Sequence, residues 1–322
     1  MQGVAGNMSS YRFNECVDDG LRNMIVVTGI YRSGTTITGK VIGSFKDIEY
    51  AYDPPLLFYL AYLQHLGRIK DSELLNLVRV YLYYDYYLNY LHGRYNFRVK
   101  DEGSCILHMK PCKEVLEKLF AVDNIKNANS KNTRFAFKFC NLYDLIMPMV
   151  REYSKIKVID LKRDLKQVFS SMLVKKWFFQ DSLSTDSAVL WPFFNNTQRG
   201  KVPYIVTESD IDFWLKSNDI TKSAYACCRF AEKKIKLNEE ISKLENSKEI
   251  YFELIYEDLV RDPSKTVKRI SEFTGSQFGA LTQQIVNDIR STESRFDVDE
   301  MIKECDPKVK ERFYQLNAIL GY

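Results

Sequence analysis

The sequence is poor in the residues that build metal centres and disulfide frameworks. Its seven cysteines (Cys16, Cys105, Cys112, Cys140, Cys227, Cys228 and Cys305) are an odd number with no C-x-x-C pair, and only three histidines are present. That argues against a structural zinc site and a disulfide scaffold, and for reduced, intracellular thiols. No apolar run reaches membrane-spanning length, and the N-terminal stretch MQGVAGNMSSYRFNECVDDGLRN has no signal-like apolar core. The expectation is a soluble cytoplasmic protein without an integral membrane segment. Basic and acidic side chains nearly balance, 46 against 42, for a net charge of +4. No basic run with interleaved aromatics appears, so a small anionic ligand fits this chain better than a nucleic acid. Internal repeats and low-complexity segments are absent. What remains, 322 residues at 45% hydrophobic, can bury a large core.

The chain is organised around residues 24–45, MIVVTGIYRSGTTITGKVIGSF. Ile25-Val26-Val27 has the β-branched character of a buried parallel strand. A turn of small and polar residues follows, Thr28 to Thr36, and then Ile37, Val41, Ile42 and Phe45 recur at helical spacing. Strand, glycine-bearing loop and helix together make an anion cradle, because the first amides of a helix have no internal partner. Read as a Walker A loop, the stretch fails in both frames. From Gly29 the lysine is replaced by Thr35; from Gly34, Lys40 is in place but Val41 stands where the Mg²⁺-binding hydroxyl belongs. What the loop offers is Arg32, Ser33, Gly34, Thr35 and Thr36: a guanidinium, three hydroxyls and free amides for one phosphate.

The remaining periodicity predicts more of the same format. A short strand, Ile48 to Tyr52, ends at Asp53-Pro54-Pro55, and helices follow over Leu56–Arg68 and Ser72–Leu91. The second carries Tyr81, Tyr83, Tyr84, Tyr86, Tyr87 and Tyr90, a group that reads as packing rather than a sugar-stacking wall. Phe135–Phe139 alternates like a strand, with Lys138 among apolar neighbours, and a helix over Leu142–Tyr153 comes next. Ile156–Leu161 is a second buried-strand candidate, running through Lys162-Arg163-Asp164 into a helix over Leu165–Lys176. In open parallel sheets ligands sit at the carboxyl ends of strands, so Arg32 and Arg163 can face one ligand. Residues 177–218 have weak periodicity and read as an insertion over the acceptor side. A helix over Thr221–Leu244 shows a Lys/Glu face expected to be solvated. A strand over Glu249–Tyr256 leads to a helix over Ser264–Phe273, closed by Gly275.

The fold class that follows is α/β, a P-loop-type parallel sheet with helices on both faces and helical and irregular insertions over the acceptor side. A single domain, 1–322, is expected. Its first half, 24–176, holds the loop and the second arginine, 177–220 forms the insertion, and 221–322 is the C-terminal part.

Y-R-S-G-T-T after a strand resembles the 5′-phosphosulfate loop of sulfotransferases that use 3′-phosphoadenosine 5′-phosphosulfate (PAPS). Three further stretches follow in that family's order. I-K-V-I-D-L-K-R-D-L-K-Q-V-F-S-S resembles the 3′-phosphate motif, with Arg163 and then Ser171 eight positions on. Y-E-D-L-V-R-D-P resembles the adenine-side element, where Tyr256 matches the tyrosine that bonds the base. Lys138 matches a lysine on the strand before the 3′-phosphate motif. Asp53 lies where carbohydrate sulfotransferases carry the Glu of a Glu-Pro pair, one methylene longer. The His base of cytosolic phenol and steroid sulfotransferases has no counterpart, since the matching stretch reads Lys138-Phe139-Cys140. His65, His92 and His108 fit no such position.

The resemblance implies a PAPS-dependent transfer of a sulfuryl group to a hydroxyl of a carbohydrate or glycosylated small molecule, without a metal. Arg32, Lys138 and Asp53 would be catalytic, with Arg32, Ser33, Gly34, Thr35, Thr36, Arg163, Ser171 and Tyr256 holding the donor. Two alternatives stay open at this point. One is a P-loop kinase that recruits Asp160 for Mg²⁺; the other is a non-catalytic nucleotide-binding protein of the same fold. The acceptor's identity and the oligomeric state are not set by the sequence.

Overall fold

A computed structural model describes residues 21–84, 93–120, 133–179, 194–197, 200–290 and 296–322. The central element is a five-stranded sheet, ordered β2-β3-β1-β4-β7, with every neighbouring pair parallel. Its strands are β1 (Ile25–Gly29), β2 (Ile48–Tyr52), β3 (Arg134–Lys138), β4 (Lys157–Lys162) and β7 (Tyr251–Ile255). Between β4 and β7, β5 (Phe194–Thr197) and β6 (Gly200–Pro203) pair as an antiparallel ribbon outside the sheet.

The strands are apolar on both sides because both sides are covered. Ile25 and Val27 of β1, with Ile159 and Leu161 of β4, pack under α1 (Thr35–Ser44) together with Val41 and Ile42. Val26, Phe135, Phe137 and Val158 face the other way, into a larger core. That core is covered by α2 (Pro55–His65), α3 (Asp71–Tyr81), α5 (Tyr143–Glu152), α6 (Leu165–Lys175) and the long α8 (Asp219–Ile241). The chain adds α4 (Cys112–Phe120) before β3 and α7 (Ile211–Lys216) before α8. After α8 come α9 (Ser247–Ile250), α10 (Tyr256–Arg261), α11 (Pro263–Thr274), α12 (Thr282–Asn287), α13 (Val298–Met301) and α14 (Pro307–Ile319). The expected architecture, a parallel sheet with helices on both faces, is what the chain forms.

Helix ends follow the local chemistry. Asp164, Asn218, Asp262 and Asp306 each accept a hydrogen bond from an amide in the first turn of the helix they precede. Gly275 ends α11 in the left-handed region, at φ 66°. The expected helix over Ser72–Leu91 is described only as far as residue 84, so Tyr86, Tyr87, Tyr90 and His92 lie outside the described residues.

Three expectations need correction. The strand expected over Glu249–Tyr256 is shorter: residues 247–250 form a helical turn, and Tyr256 opens α10 rather than closing β7. Residues 211–216, within the segment of weak periodicity, are helical, and Trp214 is buried there. The Lys/Glu face of α8 is only partly solvated. Lys234 is fully buried and pairs with the fully buried Asp160 of β4.

Candidate active site

The sheet order reverses at β1, since one crossover leads out past β3 to β2 and the other passes to β4. Ligands in such sheets sit outside the carboxyl ends of the strands at this switch point. Register fixes which residues meet there: Val27 and Tyr52 flank Lys138, and Gly29 is level with Leu161. Arg32, Asp53, Lys138 and Arg163 therefore leave the sheet on one edge. They line one cleft of about 580 Å³ with Gly34, Thr35, Thr36 and Tyr256.

The phosphosulfate-like loop runs from Ile30 to Gly34. Gly34 precedes α1 with φ 97°, and no side chain caps that helix start. A Cβ on Gly34 would lie 2.4 Å from the Tyr256 ring, so both the backbone angle and the packing require glycine. Arg32 also takes a left-handed φ, 69°, unusual for a residue with a side chain. Its Nε donates to Ser171 Oγ at 2.9 Å, and its guanidinium lies 5.9 Å from the centre of the Trp177 ring. The Ser33 hydroxyl is buried without a hydrogen-bond partner among the described residues. Thr35 Oγ1 lies 3.1 Å from Cys140 Sγ. An orphaned hydroxyl, an uncapped helix start and nearby cations fit a bound phosphate or sulfate group.

Arg163 leaves the end of β4 and turns back onto the loop. Its Nη1 donates to the Arg32 carbonyl at 2.8 Å, and its guanidinium lies 4.2 Å from the centre of the Tyr256 ring. Burial pulls this guanidinium below its ordinary value; Tyr256 and Glu257 oppose that, and the nearby Arg32 adds to it. An arginine so shifted is still a cation at neutral pH.

On the β2 side, Lys138 Nζ donates to Asp53 Oδ2 at 2.8 Å, and the Asp53 amide donates to the Lys138 carbonyl at 2.9 Å. The ammonium also sits over the Tyr52 ring, 4.1 Å from its centre. Asp53 has φ 42°, the second non-glycine of the site in the left-handed region. Such angles cost about 1–3 kcal/mol each and cluster at functional positions. Burial pushes the Asp53 carboxyl above its ordinary range, against the opposing charge and hydrogen bond of Lys138. Burial also works against the Lys138 charge, but Cys140 and Asp53 more than offset it and hold the ammonium above its usual value. Burial pushes the Cys140 thiol above its ordinary value, against the opposing charge of Lys138.

Of the ten residues assigned above to catalysis or the donor, all but Ser33 and Ser171 line the cleft itself. Ser171 joins it through Arg32, and Ser33 lies inside the loop. Sequence reasoning did not single out Tyr31, Lys40, Tyr52, Phe58, Glu102 and Trp177 as lining residues. Position next to Asp53 was a signal for Tyr52; Glu102 comes from a segment whose contact with Tyr52, at Gly103, is not local in sequence.

Asp160 does not serve the cleft. It lies on the opposite face of β4, paired with Lys234 and accepting hydrogen bonds from Tyr251 at 2.5 Å and Tyr143 at 3.4 Å. That removes the Mg²⁺ ligand on which the kinase alternative relied. Among the described residues no cluster of three or more His, Cys, Asp or Glu is placed to hold a metal. No helix among them is long and apolar enough to cross a membrane.

A family model described as "Sulfotransferase domain" matches residues 22–301. No curated protein matches the chain. Similar solved structures include sulfotransferase STF1 of Mycobacterium tuberculosis, 13% identical over 90% of this chain and 78% of that one, with TM-score 0.42. The sulfotransferase domain from the curacin biosynthetic pathway is 13% identical over 92% of this chain and 97% of its own, with TM-score 0.47. A mouse sulfotransferase, SULT7A1 complexed with PAP, is 15% identical over 96% and 89%, with TM-score 0.41. At such identities the family match carries the assignment.

Proposed function

The chain belongs to the sulfotransferase domain family, and we propose that it is a PAPS-dependent enzyme that sulfates a hydroxyl of a carbohydrate or glycosylated small molecule, with Asp53 as general base. PAPS supplies the activated sulfuryl group, and 3′,5′-ADP leaves. The loop amides, Ser33, Thr35, Thr36 and Arg32 receive the 5′-phosphosulfate, Arg163 and Ser171 receive the 3′-phosphate, and Tyr256 lies on the adenine side. Sulfuryl transfer resembles phosphoryl transfer in its loose, in-line transition state, so catalysis rests on positioning and charge stabilisation. Negative charge grows on the leaving 5′-phosphate, where Arg32 and Lys138 answer it more strongly in the transition state than in the ground state. Asp53 accepts the acceptor's proton, a role favoured by burial that makes it a stronger base than an exposed aspartate. The donor's charge is met by side chains, and the proposal assigns no step to a metal.

The observation that carries this reading is the convergence of Arg32, Asp53, Lys138 and Arg163, from four separate stretches, on one cleft. The carbohydrate acceptor rests on Asp53-Pro54 and on the aromatic walls Tyr52, Phe58 and Trp177, which offer apolar faces to a sugar ring beside polar groups that fix its hydroxyls. We further propose a cytoplasmic setting and one domain over 1–322. The test is transfer from labelled PAPS to matched panels of glycosides, simple phenols and sterols. Labelling of glycosides above the others supports the acceptor class; labelling of phenols or sterols alone overturns it and leaves the donor assignment standing.

A further inference from the structure

Both residues proposed for the 3′-phosphate grip the same residue of the 5′ loop. Ser171 holds the Arg32 side chain, and Arg163 holds the Arg32 carbonyl. The second contact bears on backbone shape. Arg32 takes a left-handed φ that an L side chain adopts only at a cost, so something must hold the peptide there. A charge-assisted hydrogen bond to its own carbonyl is suited to that. Arg163 reaches the loop a second time through Tyr256, whose ring lies close both to the guanidinium and to Gly34. The two loop residues with positive φ, Arg32 and Gly34, are thus each backed by Arg163, one directly and one through a ring.

We propose that Arg163 is a positioning residue for the phosphosulfate loop as well as a ligand of the 3′-phosphate, so that the two phosphate subsites are energetically coupled through it. The proposal rests on the donor assignment above. Its physical content is that the hydrogen bond to the Arg32 carbonyl and the Tyr256 stack hold the loop amides where a 5′-phosphate meets them. A ligand without any 3′-phosphate must then still depend on Arg163.

The experiment needs no acceptor. Affinities of adenosine, 5′-AMP, 3′-AMP and 3′,5′-ADP are measured by competition calorimetry on the full chain, as wild type, Arg163→Ala and Arg163→Lys. The gain of 5′-AMP over adenosine isolates the 5′-phosphate, and that of 3′-AMP over adenosine isolates the 3′-phosphate. The expected result is that Arg163→Ala cuts the 5′-phosphate gain about five- to tenfold, roughly the net worth of one hydrogen bond. Arg163→Lys keeps a cation but loses the fork. It should retain part of the 3′-phosphate gain while losing the 5′ gain almost as fully as Ala. An unchanged 5′-phosphate gain in whichever variant folds, with the 3′ gain lost, would overturn the coupling and leave Arg163 a 3′ ligand alone. A wild type that gains nothing from either phosphate would overturn the donor assignment and the coupling with it.

Discussion

Lys138 Nζ stands 2.8 Å from Asp53 Oδ2, joining the proposed base to the proposed cation at the carboxyl edge of the sheet. Burial of Asp53 raises its proton affinity, and Lys138 is the chief group that lowers it. A base must be ionised to accept a proton, so turnover should climb as pH rises through the elevated Asp53 value and be lost below it. The acid limb of kcat/KM is therefore expected above the ordinary aspartate range. In Lys138→Met it should move further up, because the opposing charge is gone. The same shift has a stability sign: a carboxyl that binds its proton more tightly folded than unfolded stabilises the fold at low pH, and that contribution fades as pH rises through the folded value. An acid limb near that of an exposed aspartate in the wild type would contradict this.

Removing the base should separate binding from turnover. Asp53→Asn is expected to keep 3′,5′-ADP affinity within about threefold while turnover falls ~10²- to 10⁴-fold, the usual span for general acid–base catalysis. Calorimetry and a labelled-PAPS assay on the same preparation check both halves. Unchanged turnover would remove Asp53 from the role.

Gly34 provides a backbone test. Gly34→Ala places a Cβ 2.4 Å from the Tyr256 ring at φ 97°, so the loop or the ring must move. We expect 3′,5′-ADP affinity to fall at least about tenfold, the loss of roughly one charge-assisted contact or more. Gly275→Ala is the control, since φ is 66° there but no atom lies within 4 Å of the added Cβ. It should cost about 1–2 kcal/mol of stability for the left-handed backbone and leave nucleotide affinity unchanged. Equal binding losses in the two variants would refute a local role for Gly34.

Asp160 and Lys234 form a pair with no exposure on either side chain. Taking away one partner strands a buried charge, which costs about 3–5 kcal/mol. Lys234→Met should show that loss in urea denaturation, and Asp160→Asn added to it should recover much of the loss. If Lys234→Met costs under about 1 kcal/mol, the pair does not matter to stability as argued.

Much of this was legible from local pattern. The β-branched run before Thr28, the glycine at 34 and the Arg-to-Ser spacing from 163 to 171 each state their geometry within one strand-turn-helix unit. Tyr256 was found by motif, yet its position at the head of α10 escaped the periodicity, because the Tyr251–Ile255 run continues into it without a break. The solvated face expected for α8 failed at Lys234 for a different reason. A lysine at a polar helical position looks the same whether it meets water or a buried aspartate, and Asp160 lies 74 residues away. The grip of Arg163 on the Arg32 carbonyl spans 131 residues and involves a backbone atom, which side-chain pattern does not encode.

The measurement that tests the central claim most directly is calorimetric titration of the protein with 3′,5′-ADP in EDTA, with 5′-ADP as the control. The account predicts tight, metal-independent binding of 3′,5′-ADP that weakens sharply when the 3′-phosphate is missing, and that Arg163→Ala weakens far more than it weakens 5′-AMP binding. Failure to bind 3′,5′-ADP, with 5′-ADP binding appearing on addition of Mg²⁺, would contradict it and point to phosphoryl rather than sulfuryl chemistry.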